Sequence, residues 1–263
     1  MKFYAIPPNK HLAMMDNGDS YFCLAHHYFN DASYRDYFLN LRKQKPDAFI
    51  TLDNGAAEDS LVTESLLIEA VKELSPNEVV APDVLFQTKP TLANFHSFVE
   101  RMKEDNLIKT TSIFACPQGS TKEEWLSCYQ EMAKSPEVGC IGLSKIAVPK
   151  CWNDVTGDKM IGSSRNLCVQ ELKDRNILIK PLHLLGMGEH DEFDFYLLNK
   201  TPNIRSSDSC YTILAALYGI SFEEGDTTRV PTQNAYFDVV LTKDQHDLAK
   251  RNIEYLKKKY KDV

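Results

Sequence analysis

Residues 111–144 read TSIFACPQGSTKEEWLSCYQEMAKSPEVGCIGLS and contain one complete repeat of the pattern that decides the fold. Two apolar runs, Thr111–Cys116 and Val138–Leu143, have the length and composition of buried strands. Between them lies the helical segment Lys122–Lys134, which begins after Ser120 with an acidic first turn, as a capped helix does. The stretch therefore predicts a strand, a helix and a second strand in succession.

The same alternation of apolar runs and helical patterns continues along the chain. No tract rich in Gly, Ser or Pro divides it, so residues 1–263 are predicted to form a single domain. Eight strand candidates, most followed by a helix, predict an α/β fold of the (β/α)8 TIM-barrel type, and a doubly wound open sheet is the alternative. The other strand candidates are Lys2–Ile6, Tyr21–His26, Ala48–Asp53, Glu78–Asp83, Leu178–Leu185 and Asn203–Asp208. The other helical candidates are Ser60–Leu74, Pro90–Glu104, Ser164–Asp174, His190–Asn199 and a C-terminal helix over about 243–260.

Composition and hydropathy place the chain among globular proteins. Hydrophobic residues make up 43% and charged residues 25%, which excludes the collagen-like and disordered classes. The longest uncharged apolar run, Ser209–Phe222, has 14 residues and is shorter than the roughly 18 that a membrane-spanning helix needs. The residues after Met1 lack the apolar region of a secretory signal, so we expect the protein to stay in the cytoplasm in which it is made.

Net charge and cysteine usage limit the kinds of nucleic-acid-binding and metal-binding sites that the chain can contain. With 30 basic and 37 acidic residues the net charge is −7, which argues against a protein that coats nucleic acid by bulk electrostatics. A local basic rim is compatible with this total, and the cluster of Lys145, Lys150, Lys159 and Arg165 is a candidate for it. The seven cysteines include no Cys-x-x-Cys pair, so we expect reduced, mostly buried thiols and no metal site.

Polar residues and glycines follow the predicted strands at the point where each strand ends. In a (β/α)8 barrel these positions share the carboxyl-terminal face, where active sites are built. Carboxylates at Asp53, Asp83 and Asp208 are therefore predicted to converge on one cavity with the carboxamide of Gln118. Each Asp alone is equally compatible with a helix cap or a turn, but three carboxylates and an amide at one face favour chemistry. The signatures are Leu52-Asp53-Asn54-Gly55, Pro82-Asp83-Val84, Pro117-Gln118-Gly119, Gly142-Leu143-Ser144, Gly186-Met187-Gly188 and Ser206-Ser207-Asp208-Ser209.

Converging carboxylates suit the cleavage of a glycosidic bond. One carboxylate can attack the anomeric carbon and form a covalent glycosyl-enzyme, while another transfers the proton. Glycines allow backbone N–H and C=O groups to approach a flat polar ligand, and an Asp with a Gln can pair the amide and amine edge of a purine. The residues alone therefore predict glycosyl or ribosyl chemistry, with a nucleobase as a candidate ligand.

The order of these signatures resembles the tRNA-guanine transglycosylase superfamily, and especially its phage DNA-modifying branch, the 7-deazaguanine DNA transglycosylases. The likeness covers roughly residues 48–212 by motif order. It implies a (β/α)8 barrel and a base exchange that replaces guanine in DNA with a 7-deazaguanine, above all the 7-cyano form. The implied partners are DNA and the free 7-deazaguanine base. No external cofactor is expected, and a phage-encoded enzyme of this kind would act in the host cytoplasm.

The resemblance also implies a role for each matching residue. Asp208 matches the nucleophile of the family's Phe-Asp-Cys motif, and Asp53 matches the proton-transferring carboxylate of Asp-Ser-Gly-Gly-Phe-Gln. Asp83 matches the carboxylate that recognises the base. The other matching substrate-binding residues are Gln118, Gly142, Leu143, Gly186 and Gly188, and the predicted nucleic-acid rim includes Lys145 and Lys150.

The chain departs from the family pattern at three places. Residues 56–58 read Ala-Ala-Glu where the first motif has Gly, Phe and Gln, and residues 145–147 read Lys-Ile-Ala where the family has Val-Gly-Glu. The zinc site of the tRNA enzymes, built from three Cys and one His, has no counterpart because the last cysteine is Cys210, and this favours a DNA substrate. The alternatives are a tRNA-guanine transglycosylase, a nucleoside or DNA base hydrolase, and a non-catalytic binding subunit of a transglycosylase, with a partner protein.

Histidines and tryptophans outside these signatures are given structural roles. His26 and His27 end a predicted strand, and we expect them to line the cavity or support the structure, because the ligand pattern of a metal-dependent amidohydrolase is missing. His183 lies in an apolar run and is predicted to be a core histidine with satisfied hydrogen bonds. Trp125 is predicted to pack from a helix, and Trp152 to lie in a loop.

Overall fold

The computed structural model of the chain describes residues 1–56, 62–157, 159–187, 192, 194, 196, 201, 203–225, 230 and 235–261. The strands are β1 Lys2–Ala5, β2 Tyr21–Leu24, β3 Ile50–Asp53, β4 Glu78–Val80, β5 Ser112–Ala115, β6 Val138–Ser144, β7 Leu182–Leu185 and β8 Ile204–Ser209. They form one sheet in the order β1-β8-β7-β6-β5-β4-β3-β2, and every paired neighbour is parallel. The predicted TIM-type barrel is therefore confirmed, with eight parallel strands that nearly close and alternate with helices.

Helices follow most strands and surround the barrel. Within the described residues the α-helices are α1 Ala25–Asn30, α2 Ala32–Gln44, α3 Glu64–Leu74, α4 Thr88–Glu104, α5 Lys122–Lys134, α6 Ala147–Asn153, α7 Ile161–Asp174, α8 Tyr211–Leu217 and α9 Lys243–Lys259. The 3-10 helices are Asn9–Asn17, Leu107–Lys109, Phe222–Glu224 and Tyr236–Asp238. A search of the described helices finds none with the length and apolarity that a membrane crossing requires.

Most predicted elements are present, and the differences have local causes. The helix predicted over Lys122–Lys134 has those bounds. The strand predicted over Tyr21–His26 ends at Leu24, because its partner β3 ends at Asp53 in the paired register and the chain then turns into α1. Of the helix predicted over His190–Asn199, only residues 192, 194 and 196 lie within the described part of the chain.

Apolar side chains fill two layers, one between the helices and the sheet and one inside the barrel. In α5 the buried residues Trp125, Cys128, Tyr129 and Met132 recur every three or four positions and so lie on one side of the helix. Burial of each large apolar side chain of this kind stabilises the fold by about 1.5–3 kcal/mol. The smaller of the two buried apolar clusters consists of Val80, Phe114, Cys116 and Cys140, and Leu185 packs against it.

The ladder of the barrel has a seam between β1 and β2. No strand pairing joins these two neighbouring strands, both of which are fully described. Side chains bond to the backbone of these two strands instead. Asp19 Oδ2 accepts from the Phe3 N–H at 2.8 Å, and the Tyr34 hydroxyl oxygen accepts from the Leu24 N–H at 3.0 Å. Two backbone donors that a ladder would use are therefore satisfied by side chains.

A one-residue bulge interrupts β8 next to β7. Leu182 pairs with Ile204, but the next residue, His183, pairs with Ser206, so Arg205 is an extra residue in β8. Bulges of this kind redirect side chains close to active sites. Here the consecutive side chains of Arg205 and Ser206 meet, with the Arg205 Nε–H donating to Ser206 Oγ at 3.2 Å.

Candidate active site

A cavity of about 510 Å³ lies at the carboxyl ends of the barrel strands. Its size is typical of sites that bind small molecules, and its position is that of TIM-barrel active sites. Six predicted residues line it, each from the end of a different strand between β3 and β8 or from the loop that follows. They are Asp53, Asp83, Gln118, Lys145, Gly186 and Asp208.

Two carboxamides of fixed orientation hold the side chain of Asp83. The Asn54 Nδ2–H donates to Asp83 Oδ1 at 2.7 Å, and the Gln118 Nε2–H donates to Asp83 Oδ2 at 2.6 Å. Asn54 Oδ1 accepts from the Ala56 N–H at 2.8 Å, and Gln118 Oε1 accepts from the Phe86 N–H at 3.2 Å. Neither amide can turn its oxygen toward Asp83 without losing one of these bonds, so both Asp83 oxygens must accept.

Burial shifts the protonation of Asp83. Its side chain is almost fully buried, with 4% of the residue exposed. Burial raises the pKa of Asp83 from 3.8 to about 6, while the hydrogen bonds from Asn54 and Gln118 oppose the rise. At pH 7 the carboxylate is therefore largely ionised, but it titrates much closer to neutrality than an exposed Asp.

Asp53 is held by the turn that follows β3. Its Oδ2 accepts from the Gly55 N–H at 2.9 Å, and Gly55 has a φ of 80°, which favours glycine. The residue lines the cavity with 9% of its surface exposed. The turn interpretation and the chemical interpretation of Asp53 are therefore compatible, since one oxygen forms the turn while the side chain faces the cavity.

Asp208, in β8, has two differently placed carboxylate oxygens. Its Oδ1 accepts from His183 Nε2 at 2.8 Å and from the Gly186 N–H at 3.0 Å. Its Oδ2 has no hydrogen bond to the described residues, and the side chain lines the cavity. A carboxylate with one oxygen anchored and the other open is suited to nucleophilic attack on a bound ligand.

Lys145 and Gly186 meet at the wall of the cavity. Gly186 has a φ of 68°, and a Cβ added there would lie 2.8 Å from Lys145 Cδ. Both the backbone conformation and the lysine stem therefore require glycine at this position. Gly188, predicted to belong to the same turn, lies outside the described residues.

Gly142 and Leu143 lie below the cavity wall in β6. A Cβ added to Gly142 would stand 2.6 Å from both Leu185 Cδ1 and Phe114 Cε1, so this glycine makes room for apolar packing inside the barrel. Leu143 is fully buried in the larger apolar core. Among the described residues of this strand it is Ser144 that lines the cavity.

Two further residues of the predicted basic cluster are engaged in ion pairs. Lys150 of α6 pairs with Asp154 and is not among the described residues that line the cavity. Arg165 of α7 is fully buried, lies 3.2 Å from Glu192 Oε1 and donates to the Gly186 carbonyl at 2.8 Å. Arg165 therefore stabilises the loop after β7 and does not belong to a solvent-facing rim.

One wall of the cavity is formed by aromatic side chains that were not predicted from the sequence. It consists of Phe22, Tyr211, Tyr236 and Phe237. The Tyr236 hydroxyl donates to the Ile6 carbonyl at 2.6 Å, which ties the 3-10 helix Tyr236–Asp238 to the end of β1. This segment follows no strand and contains no motif, so no sequence signal could have placed it at the site.

His26 and His27 pack beside the site at the start of α1. Their ring centroids are 4.3 Å apart, and the His27 ring lies 4.3 Å from that of Phe237. Burial, and then the neighbouring His27, lowers the pKa of His26 to about 4. Neither histidine is among the described residues that line the cavity, and no group of three metal-ligating side chains occurs in the described part of the chain.

Cys116 places a thiol in the cavity wall. Burial raises the pKa of the Cys116 thiol well above its usual range, and the carboxylate of Asp83 raises it further. A nucleophilic cysteine needs its thiolate form. Burial therefore favours the neutral thiol of Cys116 over the thiolate.

Comparison with known protein families and with curated proteins finds no match to this sequence. Solved structures with a similar course of the chain include KGPDC from Streptococcus mutans, with 10% identity, a TM-score of 0.49 and 98% of each chain covered. A provisional sugar phosphate isomerase/epimerase from Anabaena variabilis has 12% identity, a TM-score of 0.45 and 98% coverage of both chains. A mandelate racemase/muconate lactonizing enzyme from Roseiflexus sp. has 10% identity and a TM-score of 0.45, over 78% of this chain and 53% of that one. No activity is inferred from these similarities.

Proposed function

We propose that this protein is a base-exchange transglycosylase that replaces guanine in DNA with a 7-deazaguanine, above all the 7-cyano form. The observation that carries the proposal is the convergence of three carboxylates with different surroundings on one cavity. Asp208 has an open oxygen for attack, Asp53 lines the cavity as the proposed proton-transfer group, and Asp83 is a fixed acceptor. The resemblance of the strand-end signatures to guanine transglycosylases supports the same assignment.

The proposed reaction has two displacements at one carbon. Asp208 Oδ2 attacks C1′ of the target nucleotide, the C1′–N9 bond breaks, and its electron pair goes to the departing guanine, which takes a proton from Asp53. The incoming 7-deazaguanine then returns a proton to Asp53 as its N9 attacks C1′, and the bond from C1′ to Asp208 breaks. Two inversions retain the configuration at C1′, and the chain ends in the state in which it began.

Asp83 is the proposed recognition group for the base. Each carboxylate oxygen has a second lone pair beyond the one used by Asn54 or Gln118. The ring N1–H and exocyclic amine of a guanine-type base are two adjacent donors that match a carboxylate, whereas adenine presents an acceptor at N1. Because Asn54 and Gln118 both offer Asp83 an N–H, the carboxylate is fixed as an acceptor and favours guanine-type bases.

The shape of the cavity fits a nucleotide that has left the DNA stack. Its volume of about 510 Å³ has room for a base and its sugar. Flipping a nucleotide out of a duplex costs a few kcal/mol of stacking and pairing, which aromatic pockets help to recover. Phe22, Tyr211 and Phe237 are the rings proposed to contact the flipped base.

Base-exchange assays with radiolabelled guanine on duplex DNA, single-stranded DNA and tRNA test the proposal. We expect incorporation into DNA, and a covalent enzyme–DNA adduct on a denaturing gel. Incorporation into tRNA alone would overturn the choice of DNA, and abasic product without base incorporation would show a hydrolase instead. Activity that appears only with an added partner protein would show a binding subunit.

Three substitutions separate the roles of the carboxylates. Asp208→Asn is expected to form no adduct, and Asp53→Asn to slow exchange by about 10²–10⁴-fold, the usual size of a general acid–base contribution. Asp36→Asn makes the same chemical change on the exposed surface of α2 and is the matched control. An adduct that persists in Asp208→Asn and disappears in Asp53→Asn would exchange the two assignments.

Salt dependence tests the proposed lysine rim. With a net charge of −7, DNA binding has to rely on local cations, and Lys145 at the cavity and Lys150 in α6 are the proposed contacts. Each phosphate contact contributes about 0.9 to the slope of log K against log salt. Lys145→Ala is therefore expected to flatten that slope by about one unit, as measured by DNA-binding titrations at several salt concentrations. Affinity independent of salt in the wild-type protein would refute the rim.

A further inference from the structure

A chain of polar side chains runs through the barrel interior and ends at Asp208. The Arg205 Nε–H donates to Ser206 Oγ at 3.2 Å, Ser206 Oγ lies 2.7 Å from His183 Nδ1, and His183 Nε2 lies 2.8 Å from Asp208 Oδ1. The guanidinium at the start of the chain also binds Glu78 through two bonds of 2.6 and 2.8 Å. His183 is fully buried, as predicted from its apolar run, and Asp208 is one of its two hydrogen-bond partners.

The hydrogen-bonding capacities of these groups are compatible with a chain that runs from Arg205 to Asp208. A guanidinium donates only, so Ser206 Oγ accepts from Arg205, and its own hydrogen can go to His183 Nδ1. A neutral imidazole with an accepting Nδ1 carries its hydrogen on Nε2, which then donates to the Asp208 carboxylate. Every polar atom of the chain is therefore satisfied by a neutral His183 in its Nε2–H form.

The surroundings of His183 favour the same state. The residue is fully buried, and its ring lies among those of Tyr4, Phe22 and Phe114 at centroid distances of 5.3, 5.8 and 5.4 Å. Burial lowers the pKa of His183, while the hydrogen bond and charge of Asp208 act in the opposite direction. The other charged groups that act on the ring are Arg205, which lowers its pKa, and Glu78, which raises it.

A second buried arginine holds the other donor to the same oxygen. Arg165 donates to the carbonyls of Leu185 and Gly186 at 2.5 and 2.8 Å, and the Gly186 N–H donates to Asp208 Oδ1 at 3.0 Å. Oδ1 thus receives two hydrogen bonds from two independently supported donors. The described residues offer none to Oδ2.

We propose that His183 is a positioning residue that fixes Asp208 through Oδ1 and leaves Oδ2 as the atom that reacts in the cavity. It donates one hydrogen bond, takes no proton and does not touch the substrate. The naming of Oδ2 as the reacting atom rests on the proposed function. The neutral tautomer and its link to Ser206 do not depend on that function.

Two replacements separate positioning from packing. His183→Gln keeps an N–H for Asp208 and an acceptor for Ser206, whereas His183→Phe keeps a ring of similar size and leaves both partners without this contact. We expect His183→Phe to slow adduct formation by about 10²-fold, the effect of a misplaced reacting group, with DNA affinity unchanged. His183→Gln is expected to recover most of that loss. Equal rates for the two variants would overturn the proposal.

Nitrogen-15 NMR of the imidazoles tests the arrangement without any activity. The wild-type His183 is expected to show hydrogen on Nε2 and none on Nδ1 at pH 8, and to have its pKa below the usual imidazole range. Ser206→Ala leaves the Asp208 carboxylate as the acceptor of the Nε2–H, so the same tautomer is expected, with the Nδ1 signal shifted by the loss of its donor. A charged imidazole, or hydrogen on Nδ1, would refute the inference even if base exchange were confirmed. The expected tautomer without any base exchange would refute only the proposed function.

Discussion

Replacement of Asp83 by Asn is expected to change the pH dependence of folding in a direction that the structure fixes. An acid whose pKa is higher in the folded protein than in the unfolded chain binds protons more tightly when folded. Its contribution to stability is therefore complete below the unfolded pKa and is lost as the pH rises through the folded pKa. For Asp83 these limits are 3.8 and about 6.

The magnitude follows from the shift. The pKa of Asp83 is raised by about two units, and each unit corresponds to 1.36 kcal/mol. The free energy of unfolding of the wild-type protein is therefore expected to fall by about 3 kcal/mol between pH 4 and pH 7 because of this group. Asp83→Asn has no titration here, but its new NH₂ group faces a donor from Asn54 or Gln118, at a cost of about 1–3 kcal/mol at any pH. The variant is thus expected to be less stable than wild type near pH 4.5 and close to it at pH 7.

Urea denaturation at half-unit steps from pH 4.5 to 7.5 measures the difference between the two proteins. Other titrating groups, including His26, act in both proteins and cancel in this difference. Asp36→Asn on the exposed surface of α2 is the control, and its difference from wild type should stay flat. A flat difference for Asp83→Asn as well would show that burial does not raise the pKa of Asp83 in the folded protein.

Four other substitutions test packing and backbone conformation in the barrel. Arg165→Met leaves the Glu192 carboxylate buried without its charge partner and is expected to cost about 3–5 kcal/mol in urea denaturation, much of which Glu192→Leu in the same chain should restore. Gly119→Ala puts a Cβ 2.5 Å from the backbone nitrogen of Trp125, so thermal unfolding should show a loss of about 1–3 kcal/mol. Gly157→Ala meets nothing within 4 Å but has a φ of 77°, so its loss should be nearer 1 kcal/mol. Equal losses at the two glycines would contradict the steric argument.

The fold could be predicted from the sequence because each strand and each helix has a recognisable pattern within its own residues. Thr111–Cys116 and Lys122–Lys134 each show their own pattern, and a parallel sheet that alternates with helices has few ways to close. The convergence of Asp53 and Asp208 followed from the same rule, since every strand of such a barrel ends at one face. The exact strand ends did not follow, because Tyr21–His26 stops where its partner strand stops.

Contacts that depend on register were beyond local patterns. His183 and Asp208 are 25 positions apart, and their contact depends on a bulge at Arg205. No residue type in this stretch predicts that bulge. Gly142 lies in a strand-end signature that predicted contact with a ligand. The space beside its Cα is instead occupied by apolar side chains of the neighbouring strands. Arg165 was predicted to belong to a basic rim because other basic residues lie near it in the sequence. Its side chain is instead buried against Glu192, a partner that is distant in sequence.

The seam between β1 and β2 has a consequence for how copies of this protein behave at high concentration. A sheet with two free edges can add a strand from another molecule, and closed barrels avoid this hazard. In this chain the Asp19 carboxylate and the Tyr34 hydroxyl occupy backbone donors that an incoming strand would use. Lys257 of α9, 3.1 Å from Asp19 Oδ1, adds a charged group beside the β1 edge. These three side chains therefore oppose strand addition at the seam, and because Leu24 lines the cavity, loss of the Tyr34 contact would also be felt at the cavity.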